Sequence, residues 1–546
     1  MVSNGSIMST PDIKGKLEKL KARGGKLVVI DPRKTRTAEL ANQHLFIKPG
    51  SDILMLLAFL HVLFKENLVR KNHVFDFIDN IDEVENIVSA YSPESIELKT
   101  GIDAEDIYNL VREFTAAKSA ICYGRLGVSV QQYGSLCHWL INLINILTGN
   151  LDTAGGVMFS TPAIDFIALL KREAKAFRWT SRVKGLPEVA SDFPTSTLAD
   201  EILTPGTGQV KAMITLAGNP IISAPNQDRM ETAFSSLDFM VAIDIYLNET
   251  TRHADIILPP ATALEVMHYD FVLNIVSTRN VANYSPPVFK IDSKQRYDWQ
   301  ILFELQKRLD TAPAVLKTIK HKIFAYLTPE KRIDLGLKVG PFGWRNKQKL
   351  SLKKLKASPH GIDLGALTQV LPKRLFTANK RIDLFPARIK AAFFEFDQNN
   401  SFGEDEYLLI GRRHLRSNNS WLHNSPRLMK GPARCTLHIN PQDALKLEIA
   451  EGEEVELSTE TGSVLVPAEI TDTIMAGVLS VPHGWGHSKK GIALKVASAK
   501  PGVNINTLIS DLLIDKPTGN AVFNGVPVKI KKVDNTEFKL NLNQSE

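Results

Sequence analysis

The sequence predicts an α/β protein: two doubly wound α/β domains, the first incomplete at its N-terminus, followed by a β-rich C-terminal domain. Residues 27–37 read LVVIDPRKTRT, a buried parallel strand that delivers Asp31 and Arg33 to its carboxyl end, where α/β sheets bind nucleotides. Two similar strand ends follow, KPGSD at 48–52 and LAGNP at 216–220. From about residue 405 the pattern changes to short alternating strands, among them 454–458 and 463–469, joined by a turn at Glu460-Thr-Gly462. An acid at a strand end can hold a ribose or base, and an arginine there suits phosphate. The chain is therefore expected to be built around a large ligand of nucleotide type, with no clear catalytic centre beside it.

Taken in order, residues 11–23 predict a short amphipathic helix, with Pro11 near its first turn and Gly24-Gly25 ending it. The strand at 26–31 comes next. Asp52 is expected to cap an apolar helix running to about Glu66, so that the Pro49-Gly50 turn and the free N–H groups of that helix could dock an anion or a guanine-like edge. A plain N-cap is the simpler reading of Asp52 taken alone. Another helix covers 102–117. Residues 119–123 then read as a buried strand, followed by GRLGVSVQ at 124–131, whose glycines allow close backbone approach to a ligand. A helix through 133–147 ends in the glycine-rich stretch 148–156.

In the second half, the strand 239–243 places Asp244 at its end, with Thr250 just beyond. Residues 311–400 form a connector of poor periodicity, with a basic stretch from Lys338 to Lys356 that has no acid. A solvated face or flexible crossover is favoured there over a docking patch. In the β-rich part a strand at 407–410 precedes Arg412-Arg-His-Leu-Arg416, and residues 443–447 form a small helix. The run Arg412 to Arg416 reads either as a solvated basic turn or as ligand donors. HGWGH at 483–487 could suggest metal ligation, but two histidines flanking glycines without a third ligand favour a tight loop over a cofactor.

The 546 residues suffice for several cores, and the net charge of +7 is small for that length. Phosphates of a cofactor explain it as well as nucleic acid, which is not expected as a partner. The apolar run 53–64 is too short to span a bilayer. Three scattered cysteines, Cys122, Cys137 and Cys435, exclude a disulfide framework and a local iron–sulfur ligand run, and Cys122 and Cys137 are expected to be small core residues. The opening stretch MVSNGSIMSTPD carries neither a signal-peptide core nor a twin-Arg pair. The cytoplasm is the default compartment; a periplasmic location would need an export signal upstream.

In this order the stretches VVIDPRKTRTA, HLFIKPGSD, GRLGVSVQQYG, NILTGNLDTAGG, LAGNP, TRHADIILPPAT, GRRHLRSNNSWLHN, HINPQDA, VPHGWGH and FNGVPVKI resemble the molybdopterin oxidoreductase family, which includes dimethyl-sulfoxide reductases, nitrate reductases and formate dehydrogenases. The resemblance covers nearly the whole chain. It implies a bis(molybdopterin guanine dinucleotide) cofactor with molybdenum, held between two α/β domains (1–157 and 158–310) and, after the connector, a C-terminal barrel of double-psi type at 401–546. It places Asp31, Arg33, Gly50 and Asp52 near one guanosine, Gly124 and Gly127 beside that half, and Gly218, Asn219, Pro220, Asp244 and Thr250 beside the other. Arg412, His414, Asn418, Trp421, His483, Asn506 and Asn524 would close the site from the barrel.

The resemblance also implies an N-terminal portion, with a 4Fe-4S segment in most branches and a residue that ligates molybdenum; nothing in this chain corresponds to either. A fragment is the favoured expectation, over one half of a split enzyme or a cofactor-free scaffold. The implied activity is transfer of an oxygen atom or hydride equivalent to or from a small-molecule substrate. An electron-transfer protein or a complementary N-terminal subunit would be the partner.

Overall fold

The computed structural model describes residues 11–170, 177–189, 191–399 and 407–533. Residues 1–10 of the stretch read for targeting signals lie outside these, as does the junction at 400–406. No described helix is long and apolar enough to cross a membrane.

A parallel pair opens the fold, with Val28–Ile30 beside Gln43–Leu45. The Asp31 N–H donates to the Leu45 carbonyl, so the ladder continues to the residue where the chain turns off the sheet. At the centre of this unit lies the helix Asp52–Lys65, in which eleven residues are buried. A helix apolar all round must be surrounded. Helices Ile81–Val88, Pro93–Thr100, Ala104–Ala116 and Gly134–Leu147 pack round it in one hydrophobic core. Ser51, not Asp52, is the N-cap residue, and its hydroxyl donates to the Lys48 carbonyl rather than capping. That leaves the Asp52 carboxylate for another partner.

One expectation fails here for an identifiable reason. Residues 119–123 form no strand, and Ile121 and Tyr123 are about half exposed. Asparagine side chains satisfy this backbone instead: Asn145 pairs with both the N–H and the carbonyl of Cys122, and Asn150 accepts from the Ala120 N–H. Cys122 is accordingly half-buried, whereas Cys137 is fully buried. The segment 311–400, of poor periodicity in the sequence, nevertheless contains regular elements. It holds the helices Ala314–Tyr326, Pro329–Val339, Leu352–Lys356 and Ala387–Asn399, and in its basic stretch Lys338 and Lys356 pair with Asp334 and Glu330. Phe385, Phe393 and Phe396 return to the first core. Ile333, Leu337, Leu352 and Leu355 of two of these helices pack with Ala163 and Tyr284, whereas Val315, Leu316, Ile319 and Ile323 of Ala314–Tyr326 are exposed.

The second unit is a three-stranded parallel sheet in which Phe239–Ile243 lies between Ala212–Leu216 and Ile256–Ile257. One face packs on the helices Leu198–Leu203 and Gln227–Ser235 through Met240, Ala242, Ile202 and Phe234. The opposite face keeps Ile214, Leu216, Phe239 and Ile256 each 43–45% exposed.

The C-terminal region closes into a six-stranded barrel. Going round it, the strands are Tyr407–Arg412, Val478–Pro482, Leu437–Ile439, Ser463–Ile470, Glu454–Ser458 and Asn524–Lys532, which returns to the first. The first and third of these pairings are parallel, the others antiparallel. Alternate residues, among them Leu409, Ile439, Leu457, Val466 and Val481, fill the interior.

Candidate functional site

The loop after the first strand docks onto the barrel by backbone bonds. The Lys34 N–H donates to Thr473, the Met475 N–H donates to Pro32, and Arg33 bridges Ile474. The barrel also grips the turn at 126–131, because the N–H groups of Phe523 and Asn524 donate to the Val130 carbonyl. Gly525 makes close approach possible at the Pro49-Gly50 turn: its φ is +77°, and a Cβ there would stand 3.2 Å from the Pro49 oxygen. From the second unit, the helix Pro220–Ser223 is held by Asn506, whose amide donates to the Ile222 carbonyl at 2.8 Å.

A cavity of about 300 Å³ lies where these pieces meet, and Asp31, Arg33, Asp52, Gly127, Arg412, His483, Asn506 and Asn524 all line it. Asp31 is buried, and one oxygen accepts the Arg33 N–H at 2.9 Å. Burial pushes its carboxyl up to about 6, against the lowering effect of that bond and of the Arg33 guanidinium. Asp52 is raised too, again by burial, although the Gln131 amide donates to it at 2.7 Å. Among the described residues, three buried polar atoms of the wall have no protein partner: Arg33 Nε, Gln131 Oε1 and Asn506 Oδ1.

A second, larger chamber of about 910 Å³ adjoins the first and shares Arg33, Thr35, Arg412 and Arg413 with it. His414 lines this chamber, with Lys34, Arg36, Arg416, Lys430 and Arg434 adding to its positive charge; Glu39 and Glu469 are its carboxylates. Arg412 is buried and donates to neutral oxygens, the carbonyls of Ser480 and Thr436 and the Thr436 hydroxyl. Burial, then the like charge of Arg33, pulls it down to about 9. Burial followed by Arg412 and Arg33 brings His438 to about 2, and burial with Arg413 brings His483 to about 4. Such a wall is short of negative charge, and phosphate oxygens are suited to supply it.

The second strand end forms a separate cluster. The Thr250 hydroxyl donates to Asn219 Oδ1 at 2.7 Å, and Asn219 Nδ2 donates to Glu249 at 2.7 Å. The buried Asp244 accepts from the Tyr246 N–H and the Asn248 amide. Ala217, just before Gly218, has φ +48°, a left-handed conformation that costs energy for a residue with a Cβ. Gly218, Asn219, Pro220, Asp244 and Thr250 do not line the first cavity. Asn418 and Trp421 stand apart from both chambers, and Asn419 takes the wall position. Gly124 has a packing reason: a Cβ there would meet Ile141 at 2.6 Å. Gly50 has φ +90° in its turn, while the neighbouring Pro49 is the residue that reaches the cavity.

Sequence reasoning missed Gln131, Asn419 and Ser223, and singled out Arg413 only within the basic run 412–416. Gln131 could have been noticed as the last residue of GRLGVSVQ, four positions after Gly127, whose carbonyl its amide also meets. In the 483–487 loop, the two ring nitrogens of His487 contact Glu249 and His423.

Comparison with known proteins bears on the family and the fold. A profile described as "Molydopterin dinucleotide binding domain" matches residues 407–527, the barrel that walls both chambers. The chain is 25% identical over 540 residues to the F420-dependent formate dehydrogenase subunit alpha of Methanocaldococcus jannaschii, covering 94% of this chain and 74% of that protein. It is 28% identical over 321 residues to formate dehydrogenase H of Escherichia coli, with 55% and 43% covered. Among solved structures, acetylene hydratase from Pelobacter acetylenicus superimposes with a TM-score of 0.75 at 18% identity, over 95% of this chain and 76% of that one, a likeness of fold. The two α/β units bordering the cavity fall within residues 10–308, which match the molybdopterin oxidoreductase profile; the chain belongs to that family of oxidoreductases.

Proposed function

We propose that the chain binds a bis(molybdopterin guanine dinucleotide) cofactor with molybdenum and serves an oxidoreductase that transfers an oxygen atom or hydride equivalent to or from a small molecule. The observation that carries this is the wall of the first cavity: among the described residues, three buried polar atoms lacking protein partners, two buried carboxyls raised by burial, and Arg412 donating to neutral oxygens. Each buried polar atom without a partner costs about 1–3 kcal/mol. A ligand with purine N–H donors, amide-compatible edges and phosphate oxygens fits that set.

Within this reading, Asp31 and Asp52 accept from the N–H groups of a guanine, Gln131 and Asn506 offer amide oxygens, and Arg33, Arg412 and Arg413 hold the pyrophosphate. Asn219, Asp244 and Thr250 serve the second dinucleotide at the other strand end. His483, kept neutral by burial, is a hydrogen-bonding group rather than a counter-charge. When bound, the cofactor supplies the two-electron chemistry, and the protein positions and tunes it. Among the described residues no group of three or more His, Cys, Asp or Glu could hold a metal ion, and neither a molybdenum ligand nor a 4Fe-4S ligand is assigned.

The test is to purify the full chain from a molybdenum-supplied host, denature it, and quantify released guanine nucleotide and molybdenum. Both are expected, in a two-to-one ratio, with nucleotide reduced in the Arg412→Ala protein. A folded chain that releases neither would overturn the reading. The exposed sheet face of the second unit favours a second reading, that the chain works as a scaffold or as one subunit with a complementary polypeptide. Bound cofactor without turnover on formate, nitrate or N-oxides would support it.

A further inference from the structure

A line of hydrogen bonds runs from the barrel into the second unit. The Ser417 Oγ lies 2.7 Å from His423 Nε2, His423 Nδ1 lies 2.9 Å from His487 Nε2, and His487 Nδ1 lies 2.8 Å from Glu249 Oε1. The other Glu249 oxygen accepts from Asn219, and Asn219 accepts from Thr250. Ser417, His423, His487 and Glu249 are all 3% exposed or less. Trp485 covers His423, with ring centroids 4.2 Å apart.

Proton bookkeeping gives the line a direction. An ionised carboxylate only accepts, so His487 must donate from Nδ1. Its Nε2 then accepts from His423 Nδ1–H, and His423 Nε2 accepts from the Ser417 hydroxyl. With every bond kept, one added proton can rest on His423 or on His487, and the Glu249 carboxylate beside His487 favours the second arrangement. His487 becomes an imidazolium beside Glu249 and donates from Nε2; His423 stays neutral and donates from Nε2; and the Ser417 oxygen becomes an acceptor, its own proton free to point elsewhere. No bond between heavy atoms changes, and the only reactant is a proton. Ser417 precedes Asn418 and Asn419, with φ of +42° and +60°, and Asn419 reaches the first cavity. The opposite end fixes Asn219 in the LAGNP loop.

We propose that Glu249, His487, His423 and Ser417 form a one-proton relay that ties the two cofactor-facing loops together and reverses its hydrogen-bond polarity when His487 takes a proton. The assignment rests on the preceding reading of the cavity, but the relay is testable without bound cofactor. Of the other titratable groups, His414 and His483 of the barrel act on His423, while Arg252, Lys489 and Lys490 follow Thr250 and His487 in the sequence, with Arg252 bonded to the Lys490 carbonyl. Arg252 is paired with Glu231, and Lys489 lies 3.8 Å from Asp228. Burial, then His487, brings His423 down to about 3, consistent with its neutrality in both arrangements.

The experiment is histidine-selective nitrogen NMR on the full chain across pH, with signals assigned by His423→Gln, His487→Gln and the milder Ser417→Ala. At high pH both rings are expected to carry the proton on Nδ1. On acidification both should change in one shared step, and Glu249→Gln should shift that step to lower pH. Independent titrations, the opposite tautomer at high pH, or no change before unfolding would each overturn the relay. None of these outcomes bears on whether guanine nucleotide and molybdenum are released from the protein, so failure of the relay and failure of the cofactor reading are separable.

Discussion

Asp31 combines a strand-end position with near-complete burial, and its carboxyl is raised to about 6 from the ordinary 3.8. A folded-state value above the unfolded one favours the fold fully below pH 3.8 and loses that contribution as pH rises through 6. Asp31→Asn keeps an oxygen for the Arg33 N–H and removes the charge. In cofactor-free protein it is expected to stabilise the fold by about 3 kcal/mol at pH 8 and by far less near pH 4. Urea unfolding at the two pH values checks this; equal midpoints for Asp31→Asn and wild type at pH 8 would show that the carboxylate is not penalised. Asp31 and Arg33 were legible because a strand end needs only local pattern. Gln131 and Asn419 were not, since they reach the cavity through backbone bonds to the barrel and through left-handed turns that leave no hydrophobic signature.

At the scale of elements, continuous apolar runs and strict alternation were reliable guides: the strand Phe239–Ile243 and the hairpin strands Glu454–Ser458 and Ser463–Ile470 lie where pattern put them. Pattern misled at residues 119–123, where an apolar run is held extended by asparagine side chains rather than by a neighbouring strand. How tightly one element must approach another is equally invisible to pattern. Gly477 and Gly525 both lie at barrel strands with φ near +78°, but a Cβ at Gly477 meets nothing, whereas one at Gly525 presses on Pro49. Gly477→Ala is expected to cost only the backbone strain, of order 1–3 kcal/mol. Gly525→Ala should cost measurably more and should also weaken nucleotide retention, because Pro49 lines the cavity. Denaturant unfolding of the two variants compares them directly; equal losses would mean that the barrel does not clamp this turn.

At the scale of the whole molecule, the site exists because three units converge, and the second of them is half-covered. Parallel sheets are usually buried on both faces, since each strand is apolar on both. Here Met240 and Ala242 have helices over them, whereas on the other face Val241 and Ile243 are buried but Ile214, Leu216, Phe239 and Ile256 are partly exposed, and among the described residues Ala212–Leu216 is an edge strand with one side unpaired. An apolar edge of this kind is a pairing template. The isolated chain is therefore expected to self-associate and to bind a hydrophobic dye, and the double variant Ile214→Lys, Ile256→Lys should suppress both while leaving the fold intact. These side chains leave the core of the opposite face untouched, so circular dichroism should be unchanged. Light scattering with and without the two lysines decides the matter: a wild-type chain that stays monomeric at high concentration and ignores the dye would show that this face needs no cover, and the case for a complementary polypeptide would fall with it.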